Sequence, residues 1–191
     1  MYIDSIFIKN FKNVNFDNKI KLGDYGTFII RGANGSGKTN FLNAISFVFG
    51  LEWSYNYKKL IKNGENNAFV NIDLKNSDNS SITKHITYSK NGNLISFIRP
   101  KNTDISHMFK STDFCVILDA HEKSKEEVLQ DLSKNYKVYL LDNISILFNK
   151  KESETLLYPK LQEMKNQKKT VFLTSTQKID GFKNIEVGKN D

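Results

Sequence analysis

One cysteine, Cys115, is all the chain carries, so neither a disulfide framework nor a cysteine-based metal centre can be built from it. A lone thiol suits a reducing, intracellular setting. His85, His107 and His121 are scattered without metal-ligand spacing. No apolar run approaches the ~20 residues that span a bilayer. The opening Met1-Tyr-Ile-Asp4 lacks the pattern of a secretory signal, and no membrane role is expected. Arginine is nearly missing: of 28 basic residues only Arg31 and Arg99 are arginine. The net charge of +7 permits nucleic-acid contact. The same Lys- and Asn-rich composition equally reflects genomic base bias. No internal repeat, heptad run or Gly/Ser-rich linker occurs, and no glutamine precedes Gln130. What remains is 39% hydrophobic and 26% charged over 191 residues, enough for one domain with a real core.

The stretch that organises the chain is Gly32-Ala33-Asn34-Gly35-Ser36-Gly37-Lys38-Thr39, which fits G-x-x-x-x-G-K-[ST]. Gly32, Gly35 and Gly37 let the backbone curl so that successive N–H groups face phosphate oxygens. Lys38 adds a mobile point charge for the β- and γ-phosphates. The Thr39 hydroxyl suits Mg²⁺. Thr27 to Arg31 reads as a buried strand feeding the loop, and Asn40 to Gly50 as a helix leaving it. An anion is therefore expected at a helix N-terminus, contacted by Asn34, Gly35, Ser36, Gly37, Lys38, Thr39 and Asn40. This is a P-loop, and it implies a nucleotide site with Mg²⁺. It does not by itself imply hydrolysis.

Strands are expected at Tyr2–Lys9, about Val14–Leu22, Ala68–Leu74, Ile82–Tyr88, Leu94–Ile98, Thr170–Thr174 and Ile185–Val187, and Phe114–Leu118 is a brief apolar run. Ile82–Tyr88 and Leu94–Ile98 read as a hairpin about Lys90-Asn91-Gly92-Asn93. A short helix is expected from Asn102 through Phe109. Ser124 and Glu127 form a capping box for the next helix, and Glu152–Asn166 reads as the last one. Lys137-Val-Tyr-Leu-Leu-Asp142 is a buried strand ending in an acid, the Walker B pattern, which places Asp142 by the metal. The expected fold class is α/β, a mixed sheet with an antiparallel N-terminal part and a parallel nucleotide-binding core flanked by helices.

With these motifs placed, the chain resembles the head of an SMC (structural maintenance of chromosomes) ATPase, of the ABC type. The resemblance rests on Ile8-Lys-Asn-Phe-Lys12 and on Gly32 through Gly50. Phe47 to Trp53, Leu60 to Glu65 and Val70 to Asn79 are most similar to the third SMC class, a cohesin subunit. It is strong over residues 1–80 and weaker beyond. The resemblance implies an N-lobe of about 1–113 and a C-lobe of about 114–191, in one head with coiled coil and hinge absent. It puts Lys12 near the nucleotide. Lys58, Lys59 and Lys62 fall where such heads carry basic residues near DNA, and Lys90 where the cohesin subunit carries acetylated lysines; each reads equally as a solvated lysine. Phe172-Leu-Thr-Ser-Thr176 is similar to the strand end that carries a switch histidine in most ABC proteins.

The departures bear on mechanism. The family signature, Leu-Ser-Gly-Gly-[Gln/Glu]-Lys-Ser, aligns with Leu118-Asp119-Ala120-His121-Glu122-Lys123-Ser124, so the serine and both glycines are replaced. The glutamate expected after Asp142, which polarises the attacking water, is Asn143. No Q-loop glutamine is available. Asparagine can hold a water but cannot take its proton, and loss of a general base costs roughly 10²–10⁴-fold in rate. The expectation is an ATP-binding head with weak or absent hydrolysis, acting in chromosome cohesion or DNA-associated assembly. Its expected partners are another SMC-type head, a kleisin-like subunit and DNA, in the nucleus or on the chromosome where the cohesin resemblance holds. The alternative is a working ATPase of SMC or RecF-like DNA-repair kind, with Asp119 or Glu122 as base.

Overall fold

The computed structural model describes residues 2–51, 60–75, 81–88, 94–99, 109–117 and 120–188. In chain order these form β1 (Tyr2–Lys9), β2 (Ile20–Lys21), β3 (Gly26–Arg31), α1 (Lys38–Phe49), β4 (Asn67–Lys75), β5 (Ser81–Tyr88), β6 (Leu94–Arg99), β7 (Phe114–Ile117), α2 (Lys125–Ser133), β8 (Val138–Leu141), α3 (Lys150–Glu152), α4 (Tyr158–Asn166), β9 (Thr170–Ser175) and β10 (Lys183–Glu186). The chain divides into two compact units that interleave along the sequence: Met1–Asp24, Asn43–Ser111 and Gly188–Asp191 in one, Tyr25–Leu42 and Thr112–Val187 in the other. The antiparallel and parallel parts expected of one mixed sheet are two separate five-stranded sheets.

The first unit holds the antiparallel sheet, ordered β2-β1-β4-β5-β6. In β4 every second residue is buried, Ala68, Val70, Ile72 and Leu74, which is the period of a strand with one covered face. Strand β1 buries Ile3, Ile6 and Ile8. The odd step from Ile3 to Ile6 cannot be met by a regular strand, and the register against β4 shifts between Ile3 and Ser5. The strand expected over 14–22 shrinks to Ile20–Lys21. Asn10 and Lys12 both take left-handed conformations, at φ 53° and 52°. The chain there doubles back, with Phe11 N–H donating to Val14 O at 3.1 Å and Val14 N–H to Phe11 O at 2.8 Å. Strands β5 and β6 pair antiparallel as the Asn-Gly signal implies. The turn itself, with Lys90, and the start of the helix expected at Asn102 lie outside the described residues.

The second unit holds the parallel sheet, ordered β10-β3-β9-β8-β7. Strands β8 and β9 are buried at every position, as strands covered on both faces must be. Ile117, Val128, Leu132, Tyr139, Leu141, Leu161 and Met164 share one core cluster on this sheet. Helix α2 starts as expected: Glu127 N–H donates to Ser124 Oγ at 3.2 Å, and Ser124 N–H to Glu127 Oε2 at 2.7 Å. The helix expected from Glu152 begins earlier, because Asn149 and Glu152 make a second reciprocal box at 2.9 and 3.0 Å. Between α3 and α4 it widens into a π turn, Ser153–Leu157.

Candidate nucleotide site

Strand β3 runs straight into the glycine loop, and the loop into α1. Gly35 (φ 79°) and Gly37 (φ 108°) take the left-handed conformations that let the loop wrap back on itself. Gly32 is there for space. A Cβ on it would lie 2.4 Å from Ser36 Oγ and 2.6 Å from the Val187 carbonyl oxygen. Ser36 N–H donates to Ala33 O at 3.2 Å. The Lys38 ammonium curls over the loop, donating to Gly32 O and Ala33 O, both at 2.9 Å. A cation is thus held at a helix N-terminus, whose first-turn amides have no intrahelical acceptor.

Because the sheet is parallel, β3, β9 and β8 deliver their C-terminal ends to the same edge, where ligands of open α/β sheets bind. The middle strand, β9, brings Thr174, and β8 is followed by Asp142. Thr39 Oγ1 donates to Asp142 Oδ2 at 2.6 Å, joining the two elements that the sequence reading assigned to a metal. Thr174 Oγ1 donates to the other carboxylate oxygen, Oδ1, at 2.5 Å. The same hydroxyl accepts the Asn143 N–H at 2.8 Å. Asn143 is exposed and left-handed (φ 55°, ψ 22°), a conformation asparagine tolerates better than most residues.

These groups line a cavity of about 250 Å³ with Asn34, Gly35, Gly37, Lys38, Thr39, Asn40, Asp142, Asn143, Thr174 and Thr176 on its walls. Of the loop residues singled out from sequence, Gly32 and Ser36 shape the loop from behind rather than line the cavity. Ser36 Oγ is buried without a hydrogen-bond partner among the described residues. The donor set fits a Mg-nucleotide. A hydroxyl and a carboxylate in contact are the hard oxygen ligands Mg²⁺ takes, while glycine amides and a lysine suit phosphate.

The remaining expected residues fall elsewhere. Lys12 lies in the first unit, half-buried; its N–H donates to Leu60 O at 2.6 Å, and burial lowers its ammonium pKa. Lys62 is exposed, and its N–H donates to Asn10 O at 2.8 Å. Lys58, Lys59, Leu118 and Asp119 lie outside the described residues. Ala120, His121 and Glu122 make one tight helical turn before Ser124 caps α2, with Ala120 buried and the other two exposed. Thr174 and Thr176 were not among the site residues read from sequence. Their signal was present: polar residues closing an otherwise apolar parallel strand.

Residues 2–139 match the model of the family described as RecF/RecN/SMC N terminal domain. Among curated proteins, the DNA replication and repair protein RecF of Tropheryma whipplei (strain TW08/27) is 33% identical over 122 residues, which is 63% of this chain and 32% of that protein. RecF of Halothermothrix orenii (strain H 168 / OCM 544 / DSM 9562) is 38% identical over 81 residues, 41% of this chain and 21% of that one. The chain thus spans a third or less of these relatives. Among solved structures, an Smc head bound to the C-winged helix domain of ScpA is similar at a TM-score of 0.65 and 15% identity, covering 93% of this chain and 90% of that one. The SMC head domain from Thermotoga maritima is similar at 0.64, with the same identity and coverage. At that identity these two speak for the fold alone, that of an SMC head domain. The sequence match over more than half of the chain settles the family: the chain belongs to the RecF/RecN/SMC N-terminal domain family.

Proposed function

We propose that this chain is an ATP-binding head that works as a nucleotide-dependent binding and assembly module, with little or no turnover. The observation that carries the reading is the Thr39–Asp142 contact at 2.6 Å beside Lys38. It gathers a phosphate grip and a metal grip at one edge of the parallel sheet. In this reading Gly35, Gly37 and Lys38 hold the phosphates, and Thr39 with Asp142 holds Mg²⁺. When bound, Mg²⁺ supplies the positive charge that neutralises phosphate oxygens. Asn143 stands at the same edge where a base would be needed. Its amide can orient a water through a hydrogen bond but cannot accept the water's proton. In the resemblance, Asp119, Ala120 and His121 replace the serine and the two glycines that let a signature loop approach phosphate closely.

The resemblance over residues 47–79 supports a cohesin-class role in chromosome organisation, as a single head with an N-lobe of about 1–113 and a C-lobe of about 114–191 in sequence. The partners would be a second SMC-type head and a kleisin-like subunit, with DNA near Lys58, Lys59 and Lys62. The likeness to an Smc head bound to ScpA supports the kleisin part. A RecF-like DNA-repair role is the second reading, favoured by the RecF proteins it matches in sequence. Among the described residues no helix is long and apolar enough to cross a membrane.

The test is equilibrium binding of a fluorescent ATP analogue with Mg²⁺, against Lys38→Ala. Saturable binding that the substitution abolishes supports the reading. Equal binding by both proteins, or none by either, overturns it.

A further inference from the structure

The Thr174 side chain is fully buried, in the strand end that resembles the switch-histidine stretch but at a residue to which that resemblance gives no role. It sits in β9, between the strand that leads to the glycine loop and the strand that leads to Asp142. A hydroxyl has one proton to give and lone pairs to receive with. Thr174 gives its proton to Asp142 Oδ1 and receives the Asn143 N–H. Both directions are fixed, because a carboxylate can only accept and an amide N–H can only donate. One side chain therefore sets two things together. It orients the Asp142 carboxylate so that Oδ2 points at Thr39, and it pins the backbone of Asn143 in the left-handed turn that presents its side chain to the cavity.

We propose that Thr174 is the positioning residue of the metal grip: it holds Asp142 and Asn143 in register with Thr39. The inference rests on the nucleotide-site reading above. A group that orients a metal-binding carboxylate is worth roughly 10–100-fold in metal affinity when removed. The phosphate grip of the glycine loop and Lys38 does not pass through Thr174. Its loss should therefore weaken Mg²⁺-dependent nucleotide binding and spare the Mg²⁺-free component.

The experiment measures ATP-analogue affinity in Mg²⁺ and in EDTA for the wild type, Thr174→Val and Thr174→Ser, with folding followed by circular dichroism. Valine keeps the shape and removes both hydrogen bonds, whereas serine keeps the hydroxyl. The expected result is that the ratio of EDTA to Mg²⁺ dissociation constants falls by roughly 10–100-fold in Thr174→Val and is retained in Thr174→Ser. The EDTA affinity should be the same in all three. A wild-type ratio in Thr174→Val overturns the proposal, as does an equal loss of affinity in EDTA and in Mg²⁺. Should Thr174→Val not fold, Thr174→Ala takes its place in the same comparison with serine. A wild type that binds no nucleotide under either condition overturns the function reading, and this one with it. Mg²⁺-enhanced binding in the wild type with no change in the variant overturns this one alone.

Discussion

Replacing Gly32 by alanine tests the packing of the glycine loop without removing any charged or metal-binding group. The added Cβ would sit 2.4 Å from Ser36 Oγ and 2.6 Å from the Val187 carbonyl oxygen. The serine can turn away. The carbonyl cannot, because Val187 N–H is bonded to Arg31 O at 2.9 Å and Glu186 is held in register opposite Arg31. The Arg31–Glu186 ion pair at 2.7 Å fixes the same strand end. The strain must go into the loop or the edge of the sheet, at a cost of about 1–3 kcal/mol, as for other overpacked sites. For a chain of this length each kcal/mol lowers the melting temperature by roughly 2–4 °C, so a fall of about 2–12 °C is expected. Gly35→Asn is the control. Nothing lies within 4 Å of a Cβ there, and asparagine accepts the left-handed backbone at φ 79°. Its cost should stay under about 1 kcal/mol. Calorimetry of the three proteins without nucleotide decides the matter. Gly32→Ala melting with the wild type, or Gly35→Asn melting below Gly32→Ala, would refute the packing argument.

Asp131 is buried, which pushes its carboxyl upward, but the hydrogen bonds from Lys123 and Lys134 outweigh this and leave its pKa lowered. A lowered carboxyl pKa stabilises the fold above the unfolded value near 3.9 and loses that contribution as pH falls below it. Asp131→Asn should therefore cost about 1–2 kcal/mol in urea unfolding at pH 7, the lysines being partly exposed, and much less at pH 3. An equal gap at both pH values would show that charge is not the cause. The Cys115 thiol is pushed up to about 11 by burial, with the Asp131 charge adding to it. Its contribution to stability is fully present below the unfolded thiol value and is lost as pH rises through about 11. Native protein at pH 8 should resist iodoacetamide, and urea-unfolded protein should label, as mass spectrometry would read. Native labelling at the unfolded rate would contradict its placement in the core.

The parts legible in the sequence were those set by local chemistry. Glycines at fixed offsets before Lys38 and Thr39, the capping box at Ser124 and Glu127, and the apolar runs of β8 and β9 each need only a few neighbouring residues. What was not legible depended on backbone choices with no side-chain period. Asn10 and Lys12 turn left-handed ahead of the strand expected over about 14–22, of which only Ile20–Lys21 forms. The π turn at Ser153–Leu157 interrupts a helix whose apolar spacing gives no notice of it. Thr174 escaped for a different reason. The polar end of its strand shows in the sequence, but only the order β3-β9-β8 places its hydroxyl between Asp142 and Asn143.

The central claim is a head that grips ATP without a base to turn it over. It is tested most directly by phosphate release from the purified chain under saturating Mg-ATP, with Lys38→Ala as the background. The account predicts saturable ATP binding in the wild type and phosphate release no faster than in Lys38→Ala. Turnover above that background, lost with the Lys38 ammonium, would contradict it and require a base other than Asn143.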